Sequence, residues 1–141
     1  MLEKSAEPEK SNVIHDVKVD QLIKYVEKVW GHEEWIVNKQ EYCGKKLVLK
    51  KGYRCSMHQH QIKDETFYIL QGKVLFETEF NNKKESKLLT PGDVMHIEIG
   101  MWHRFTGIVD SQIIEFSTFH MDEDSYRKES SGKVDLKDLG F

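Results

Sequence analysis

Apolar residues recur along the chain with two different spacings. Between Val19 and Trp30 they repeat every three or four residues, which is the spacing of an amphipathic helix. An aspartate near the start of this run can cap a helix, and Gly31 after it can end one. The pattern therefore predicts one N-terminal helix, within residues 16–34, that packs on the outside of a larger unit.

After Trp35 the spacing changes to short runs rich in β-branched and aromatic residues. Turn residues such as Gln71-Gly72 and Pro91-Gly92 separate these runs. The predicted strands cover residues 35–37, 47–49, 55–60, 66–70, 74–80, 94–97, 103–108 and 113–119. Strands at this regular spacing favour antiparallel hairpins, so we expect an all-β sandwich or barrel over residues 35–120.

The two ends of the chain differ from this central part. Residues 1–15 are polar and contain almost nothing that could be buried, which predicts a disordered segment. Residues 121–141 form a charged tail, although Leu136, Leu139 and Phe141 near its end could pack against the barrel. The 141 residues therefore predict one domain with two flanking segments.

Charge and composition exclude several functional classes. The net charge is only −3, with both signs interspersed, so a nucleic-acid partner is not expected. No apolar run approaches the length of a membrane span and the first residues do not resemble a signal peptide, so we expect no membrane partner and a cytoplasmic location. The two cysteines, Cys43 and Cys55, are expected to be reduced thiols.

A group of histidines carries the candidate chemistry. His58 and His60 lie two residues apart on a predicted strand, so both side chains leave the same face and can share a metal ion. Glu65 opens the next strand of the same hairpin, which returns its carboxylate to that face. A further imidazole is available from the strands that follow Pro91-Gly92, where His96 and His103 are the candidates.

These donors predict one bound divalent metal ion. Three imidazoles and a carboxylate suit Mn²⁺, Fe²⁺, Co²⁺, Ni²⁺ or Zn²⁺ and do not choose among them.

The residues from Gly52 to Gly72 resemble the first signature of the cupin superfamily, G-x5-H-x-H-x4-E-x6-G, at every defined position. The later segment, Pro91-Gly92-Asp93, a strand, Gly100 and then His103, resembles the second cupin signature and favours His103 over His96 as the fourth ligand. The resemblance implies a cupin double-stranded β-helix, or jelly-roll barrel, with the metal near its centre. It also implies a homodimer, which many cupins form.

Two segments resemble sugar isomerases within that superfamily. The run Trp30-Gly-His-Glu-Glu-Trp35 is similar to a segment that precedes the cupin domain of mannose-6-phosphate isomerase-like proteins. Lys63 between the ligands, and Glu115 on a late strand, resemble the arrangement in D-lyxose ketol-isomerase-type enzymes. This chain is shorter and lacks the segments that close over a free pentose in that family.

The resemblance implies a metal-dependent sugar isomerase that acts through an enediolate on a small sugar or sugar phosphate. In this hypothesis the metal, with Mn²⁺ or Zn²⁺ favoured, is held by His58, His60, Glu65 and His103 and polarises the substrate. Glu115 carries the proton between two carbons, and Lys63 steadies the developing oxyanion or binds a hydroxyl group.

Two alternatives use the same metal ligands. An Fe²⁺ cupin dioxygenase would need air, and a non-catalytic sugar-binding or sensing cupin would bind without turnover. Three other histidines, His15, His32 and His120, are expected to be ordinary surface residues.

Overall fold

A computed structural model describes residues 18–141, so the predicted disordered segment and His15 lie outside the described residues. The described chain is built almost entirely from strands, and its only helices are two short 3-10 helices, Asp122–Asp124 and Leu136–Leu139. The strands are β1 (Lys24–Lys28), β2 (Gly31–Asn38), β3 (Cys43–Leu49), β4 (Tyr53–Arg54), β5 (His58–Gln59), β6 (Glu65–Gln71), β7 (Val74–Phe80), β8 (Lys83–Leu89), β9 (Val94–Ile97), β10 (Trp102–Gly107), β11 (Ser111–Ser117), β12 (Tyr126–Arg127) and β13 (Gly132–Lys133). The expectation of an all-β fold is confirmed.

The strands form two antiparallel sheets. The first sheet has the order β1-β2-β3-β11-β6-β9. The second has the order β12-β5-β10-β4-β13, with β7 paired to β10 and β8 paired to β7. Strands of both sheets contribute to one buried cluster: Trp30, Leu47, Leu49, Cys55, Phe67, Ile69, Val74, Phe76, Leu89, Ile97, Phe105 and Ile113. The non-sequential strand order and this shared core give the jelly-roll architecture that was predicted.

The predicted N-terminal helix is wrong. Residues 24–28 form β1, which pairs antiparallel with β2. Most apolar residues of the supposed helical face, such as Val19 and Ile23, are exposed, and only Trp30 joins the core. Over so short a run, the strand period of 2 residues and the helix period of 3.6 residues place many of the same residues on one face. Pairing with β2 satisfies the backbone of this β-branched and aromatic segment, and it decides between the two.

Gly31 starts β2 instead of ending a helix. Its φ is +146°, and a Cβ atom at this position would lie 1.8 Å from the carbonyl oxygen of Val48. The glycine is therefore required by the close approach of β2 to β3, which side chains cannot enter.

Two further differences concern polar segments. The run 83–89, rich in lysine, was not predicted as a strand, yet it forms β8 at the edge of the second sheet. The tail adds β12 and β13 to the same sheet, and Leu136 and Phe141 lie beside Ile108 of the barrel. The tail is thus part of the fold. Among residues 18–141 no helix has the length and apolarity to cross a membrane.

Both cysteines are buried and form no disulfide. Burial raises the pKa of the Cys55 thiol to about 12 and also raises that of Cys43. Both side chains therefore pack as neutral thiols, in keeping with the expectation from the sequence.

Replacing Gly31 with alanine should destabilise the protein strongly. The new Cβ meets a backbone carbonyl that can move only if β2 separates from β3, so we expect a loss of about 2 kcal/mol or more in the free energy of unfolding. Urea denaturation followed by circular dichroism measures this value. Gly132→Ala is the matched control, because nothing lies within 4 Å of its added Cβ. Equal stability of the two variants would contradict the assignment of a strained contact at Gly31.

Candidate functional site

Three histidines converge inside the barrel. His58 lies on β5 and is paired with His103 on β10, and His60 follows two residues after His58. The side chains of His60 and His103 are almost fully buried. Each of the three offers a ring nitrogen, and these nitrogens all lie within 4.8 Å of one another. The three histidines could therefore hold a metal ion together.

The other nitrogen of each ring is held by a backbone carbonyl. The Nδ1 atoms of His58, His60 and His103 lie 2.7 Å, 3.0 Å and 3.0 Å from the carbonyl oxygens of Ser56, Asp124 and Met101. A carbonyl oxygen only accepts, so each Nδ1 carries the proton and donates it. Each Nε2 is then left with a free electron pair. This is the orientation and tautomer that a metal-binding histidine needs.

Glu65 completes the group of donor atoms. It begins β6, is 2% exposed, and its Oε2 lies 3.1 Å from Nε2 of His103 and 3.5 Å from Nε2 of His60. Neither Glu65 Oε2 nor His103 Nε2 has a hydrogen-bond partner, although both atoms are buried. Buried polar atoms without partners are costly, and a cation between them would satisfy both. The residues present therefore fit a divalent metal ion.

The protonation states also suit metal binding. Burial lowers the pKa of His58 well below its ordinary value and that of His60 to about 4, so both imidazoles are neutral near pH 7. For Glu65, burial by itself would raise the pKa, but the ammonium of Lys63 lowers it well below its ordinary value. Neutral imidazole and ionised carboxylate are the forms that bind metals.

A buried lysine joins the metal ligands to a second carboxylate. Lys63 is 3% exposed, and its Nζ lies 2.9 Å from Oε1 of Glu65 and 3.2 Å from Oε2 of Glu115. The third contact of Nζ, at 3.0 Å, is to Nδ1 of His120. Burial alone would lower the pKa of Lys63, but the two carboxylates raise it above its ordinary value. The lysine is therefore an ammonium ion with all three donors directed at protein groups.

Glu115 lies on β11 with its side chain turned into the barrel, and it is 4% exposed. Its Oε2 accepts hydrogen bonds from Lys63 and, at 2.9 Å, from the hydroxyl of Ser117. Its Oε1 makes no hydrogen bond within residues 18–141. One oxygen of this carboxylate thus fixes the side chain, and the other is left for a ligand.

His58, His60 and Glu65 line one cavity of about 250 Å³ together with Lys63 and Glu115. The same cavity is also lined by Trp30, Glu33 and Trp35 of the segment that resembled sugar isomerases, and by Lys45 of β3. A polar cavity with aromatic walls suits a small hydroxylated molecule.

His120 belongs to this cavity and was missed as a site residue. Its Nδ1 can only accept from the ammonium of Lys63, so Nε2 carries the proton and donates to Asp122 at 2.9 Å. Its ring also packs edge-on against Trp35, with the centroids 5.0 Å apart. Position 120 follows the last predicted strand, and no spacing within the sequence links it to the metal ligands.

Asp124 was also missed, and it holds the loop that carries His60 and Lys63. Its backbone carbonyl accepts from the ring of His60. Its carboxylate accepts from the backbone N–H groups of Gln61, Ile62 and Lys63 at 2.9 to 3.2 Å. This residue lies in the tail, so the tail fixes the geometry of the candidate metal centre.

The remaining candidates lie away from the cavity. His96 is half exposed and pairs with Asp64 at 2.6 Å, outside the group of converging histidines. His32 is partly buried against Glu34 and stacks on Tyr25. Arg104 follows His103 on β10, so its side chain turns to the opposite face, and it pairs with Glu77 and Glu129.

Asp124→Asn should weaken metal binding while leaving the chain folded. The amide has only one acceptor oxygen for the three N–H groups, so the loop carrying His60 loosens and we expect a loss of about tenfold or more in Zn²⁺ affinity. Competition with a chelating dye measures the affinity. His58→Ala sets the lower limit and Asp138→Asn, an exposed change in the tail, is the control. An unchanged affinity in Asp124→Asn would refute the role of Asp124.

The metal-free protein should lose stability as the pH falls from 6.5 towards 4. Unfolded histidines take up protons near pH 6.5, whereas the pKa of folded His60 is about 4 and burial holds that of folded His58 well below its ordinary value. The unfolded state therefore binds more protons in this range, which lowers the free energy of unfolding by up to ~1.4 kcal/mol per pH unit for each histidine. Urea titrations at several pH values test this expectation. His60→Gln should reduce the slope, and a flat profile in the parent protein would contradict the expectation.

Comparison with known proteins identifies the family to which this fold belongs. Residues 46–116, half of the chain, match the sequence profile of the cupin domain. No curated protein matches the chain significantly.

Among solved structures, the capsular polysaccharide assembling protein CapF from Staphylococcus aureus is similar with a TM-score of 0.66 and 19% identity, covering 75% of this chain and 34% of CapF. KdgF from Halomonas sp. is similar with a TM-score of 0.63 and 20% identity, covering 71% of this chain and 91% of KdgF. Oxalate decarboxylase from Bacillus subtilis is similar with a TM-score of 0.68 and 12% identity, covering 80% of this chain and 33% of the decarboxylase. The chain thus spans about a third of CapF and of oxalate decarboxylase. With the domain profile matched over half of its length and a jelly-roll barrel around converging histidines, the chain belongs to the cupin family.

Proposed function

We propose that this cupin is a metal-dependent sugar isomerase, which interconverts an aldose and a ketose by moving a proton between neighbouring carbons. The observation that carries the proposal is the placement of Glu115. Its carboxylate lies in the cavity lined by His58, His60 and Glu65, one oxygen is fixed by Lys63 and Ser117, and the other has no hydrogen bond within residues 18–141. A carboxylate held in this way is suited to act as a general base.

His58, His60, His103 and Glu65 would hold the metal, with Mn²⁺ or Zn²⁺ favoured. When bound, the metal supplies a Lewis acid that polarises the carbonyl and the neighbouring hydroxyl of the sugar. The protein's own part is to fix the four donor atoms on β5, β6, β10 and the loop after β5, and to keep His58 and His60 neutral and Glu65 ionised.

Glu115 takes the proton from the carbon next to the carbonyl through its free Oε1 and returns it to the adjacent carbon. Lys63 acts as a positioning residue in this reaction. Its three donors are already directed at Glu65, Glu115 and His120, so none remains for a substrate oxyanion. Its contact orients Glu115, and its field favours negative charge that develops nearby.

The cavity supports a carbohydrate as the substrate class. Trp30 and Trp35 line it, and sugars pack against aromatic rings while their hydroxyl groups bind polar side chains such as those of Glu33 and His120. CapF, one of the similar structures, is described as a protein of capsular polysaccharide assembly, so carbohydrate chemistry is known for a protein of this fold.

The test is proton NMR in D₂O of Zn²⁺-loaded protein with a panel of aldoses, ketoses and their phosphates. We expect deuterium to enter next to the carbonyl of one panel member in the parent protein. Glu115→Gln should lower this exchange by at least about a hundredfold, since general base catalysis of this kind contributes 10²–10⁴-fold. Glu98→Gln, an exposed change on the neighbouring loop, is the matched control and should exchange normally.

The other outcomes separate the alternatives. Exchange that persists in Glu115→Gln would remove Glu115 as the base. If no panel member exchanges, the isomerase proposal fails. Oxygen consumption with Fe²⁺ would then favour a dioxygenase, and binding without turnover would favour a sugar-binding cupin.

A further inference from the structure

One row of side chains crosses the first sheet from its edge to the metal centre. In the register of the strands, Lys24 on β1 faces Trp35, Trp35 faces Lys45, and Lys45 faces Glu115. Residues that share a row on adjacent strands point to the same face. All four residues line the cavity, so the row forms a path from Glu115 to its outer end.

Lys45 is the unexpected member of this row. It is 1% exposed, and it lies on a strand whose other inward residues, Leu47 and Leu49, belong to the apolar core. Its Nζ lies 3.6 Å from Oε1 of Glu33 and 4.0 Å from the centre of the Trp35 ring. The ammonium makes no hydrogen bond within residues 18–141, because 3.6 Å is too long for one. Lys45 lines the cavity, so a ligand there can engage these donors.

Two further lysines lie beside this position. Nζ of Lys24 is 4.8 Å from the centre of the same Trp35 ring, and Lys28 lines the cavity as well. Neither lysine forms an ion pair with any residue from 18 to 141. The ammonium groups of Lys24 and Lys45 therefore both lie near the ring of Trp35.

The carboxylates nearby do not balance these charges. Glu33 is the nearest one, and its Oε1 already accepts from the indole N–H of Trp35 at 2.9 Å. Asp122 accepts a hydrogen bond from His120, which is a neutral imidazole, so the charge of Asp122 also counts. Glu65 and Glu115 contact Lys63. The outer half of the cavity therefore has three lysines against two carboxylates, Glu33 and Asp122, and carries excess positive charge.

We infer that Lys45, Lys24 and Lys28 bind an anionic group of the substrate, a phosphate or a carboxylate, at the end of the sugar remote from its carbonyl. This inference rests on the proposed function for the position of the carbonyl.

The dimensions agree with this assignment. Neighbouring strands are about 4.8 Å apart, so Lys45 lies roughly one strand spacing from Glu115 and Lys24 roughly three. A single sugar whose carbonyl lies at the metal centre can extend along the row and place its charged end among these lysines. Lysine ammonium groups bind phosphate and carboxylate oxygens through charge-assisted hydrogen bonds.

Isothermal titration calorimetry of the Zn²⁺-loaded protein tests the inference by binding alone. The probes are a hexose, its 6-phosphate and its uronic acid, which differ only in the charged group. We expect the phosphate or the uronate to bind at least about tenfold more tightly than the neutral sugar, and the advantage to shrink when NaCl is raised from 50 to 300 mM. The two anions distinguish a phosphate site from a carboxylate site.

Three variants make the result specific. Lys45→Met, which keeps the side-chain length and removes the charge, should bring the ratio of affinities close to one. Lys24→Met should reduce the ratio about threefold, and its exposed position lets it serve if Lys45→Met does not fold. Lys84→Met, an exposed change on β8, should leave the ratio unchanged.

Equal affinity for all three probes, binding of none of them, or a preference that survives both lysine variants would overturn the inference. Failure here is distinct from failure of the isomerase proposal. An anionic preference without deuterium exchange would reject the isomerase and keep the lysine site, whereas exchange on neutral sugars with no anionic preference would do the reverse.

Discussion

The ammonium of Lys63 is the charge on which the interior of this barrel depends. Glu65 and Glu115 occupy neighbouring rows of the first sheet, since Ser117, two residues after Glu115, faces Glu65 across the strands. Two carboxylates in so small a buried space repel each other when both are ionised. Lys63 contacts both at 2.9 and 3.2 Å. Removing one partner from a buried ion pair costs about 3–5 kcal/mol, so the lysine contributes substantially to the stability of the barrel.

The contacts of Lys63 leave the two carboxylates with different free oxygens. Oε1 of Glu65 and Oε2 of Glu115 are both taken by the lysine, which leaves Glu65 Oε2 facing the histidines and Glu115 Oε1 facing the cavity. One ammonium therefore contacts both a proposed metal ligand and the carboxylate that we propose as the base. The tail completes the support, because Asp124 fixes the backbone of Lys63 and the ring of His60 together.

The metal centre could be predicted from sequence because its geometry is local. Alternation along a strand places His58 and His60 on one face, and a short hairpin returns Glu65 to that face. The roles of Lys45, His120 and Asp124 could not be predicted, since each depends on a contact between segments far apart in the chain. The N-terminal strand was predicted as a helix because a short run of mixed valines and lysines fits both periods, and only its pairing with β2 distinguishes them.

The same row across the first sheet has a consequence for specificity. Of the proposed metal ligands, His58, Glu65 and His103 lie on β5, β6 and β10 and His60 follows β5, whereas the lysines of the outer cavity lie on β1 and β3, with Trp35 between them on β2. Within residues 18–141 these lysines share no hydrogen bond with the proposed ligands. Under the proposed function, substitutions on β1 to β3 would change the preference for the end group of the substrate and leave the metal ligands in place. Mutations more than about 7–10 Å apart with no shared partners usually act independently. The proposed sites would then separate the selection of the substrate from the chemistry that acts on it.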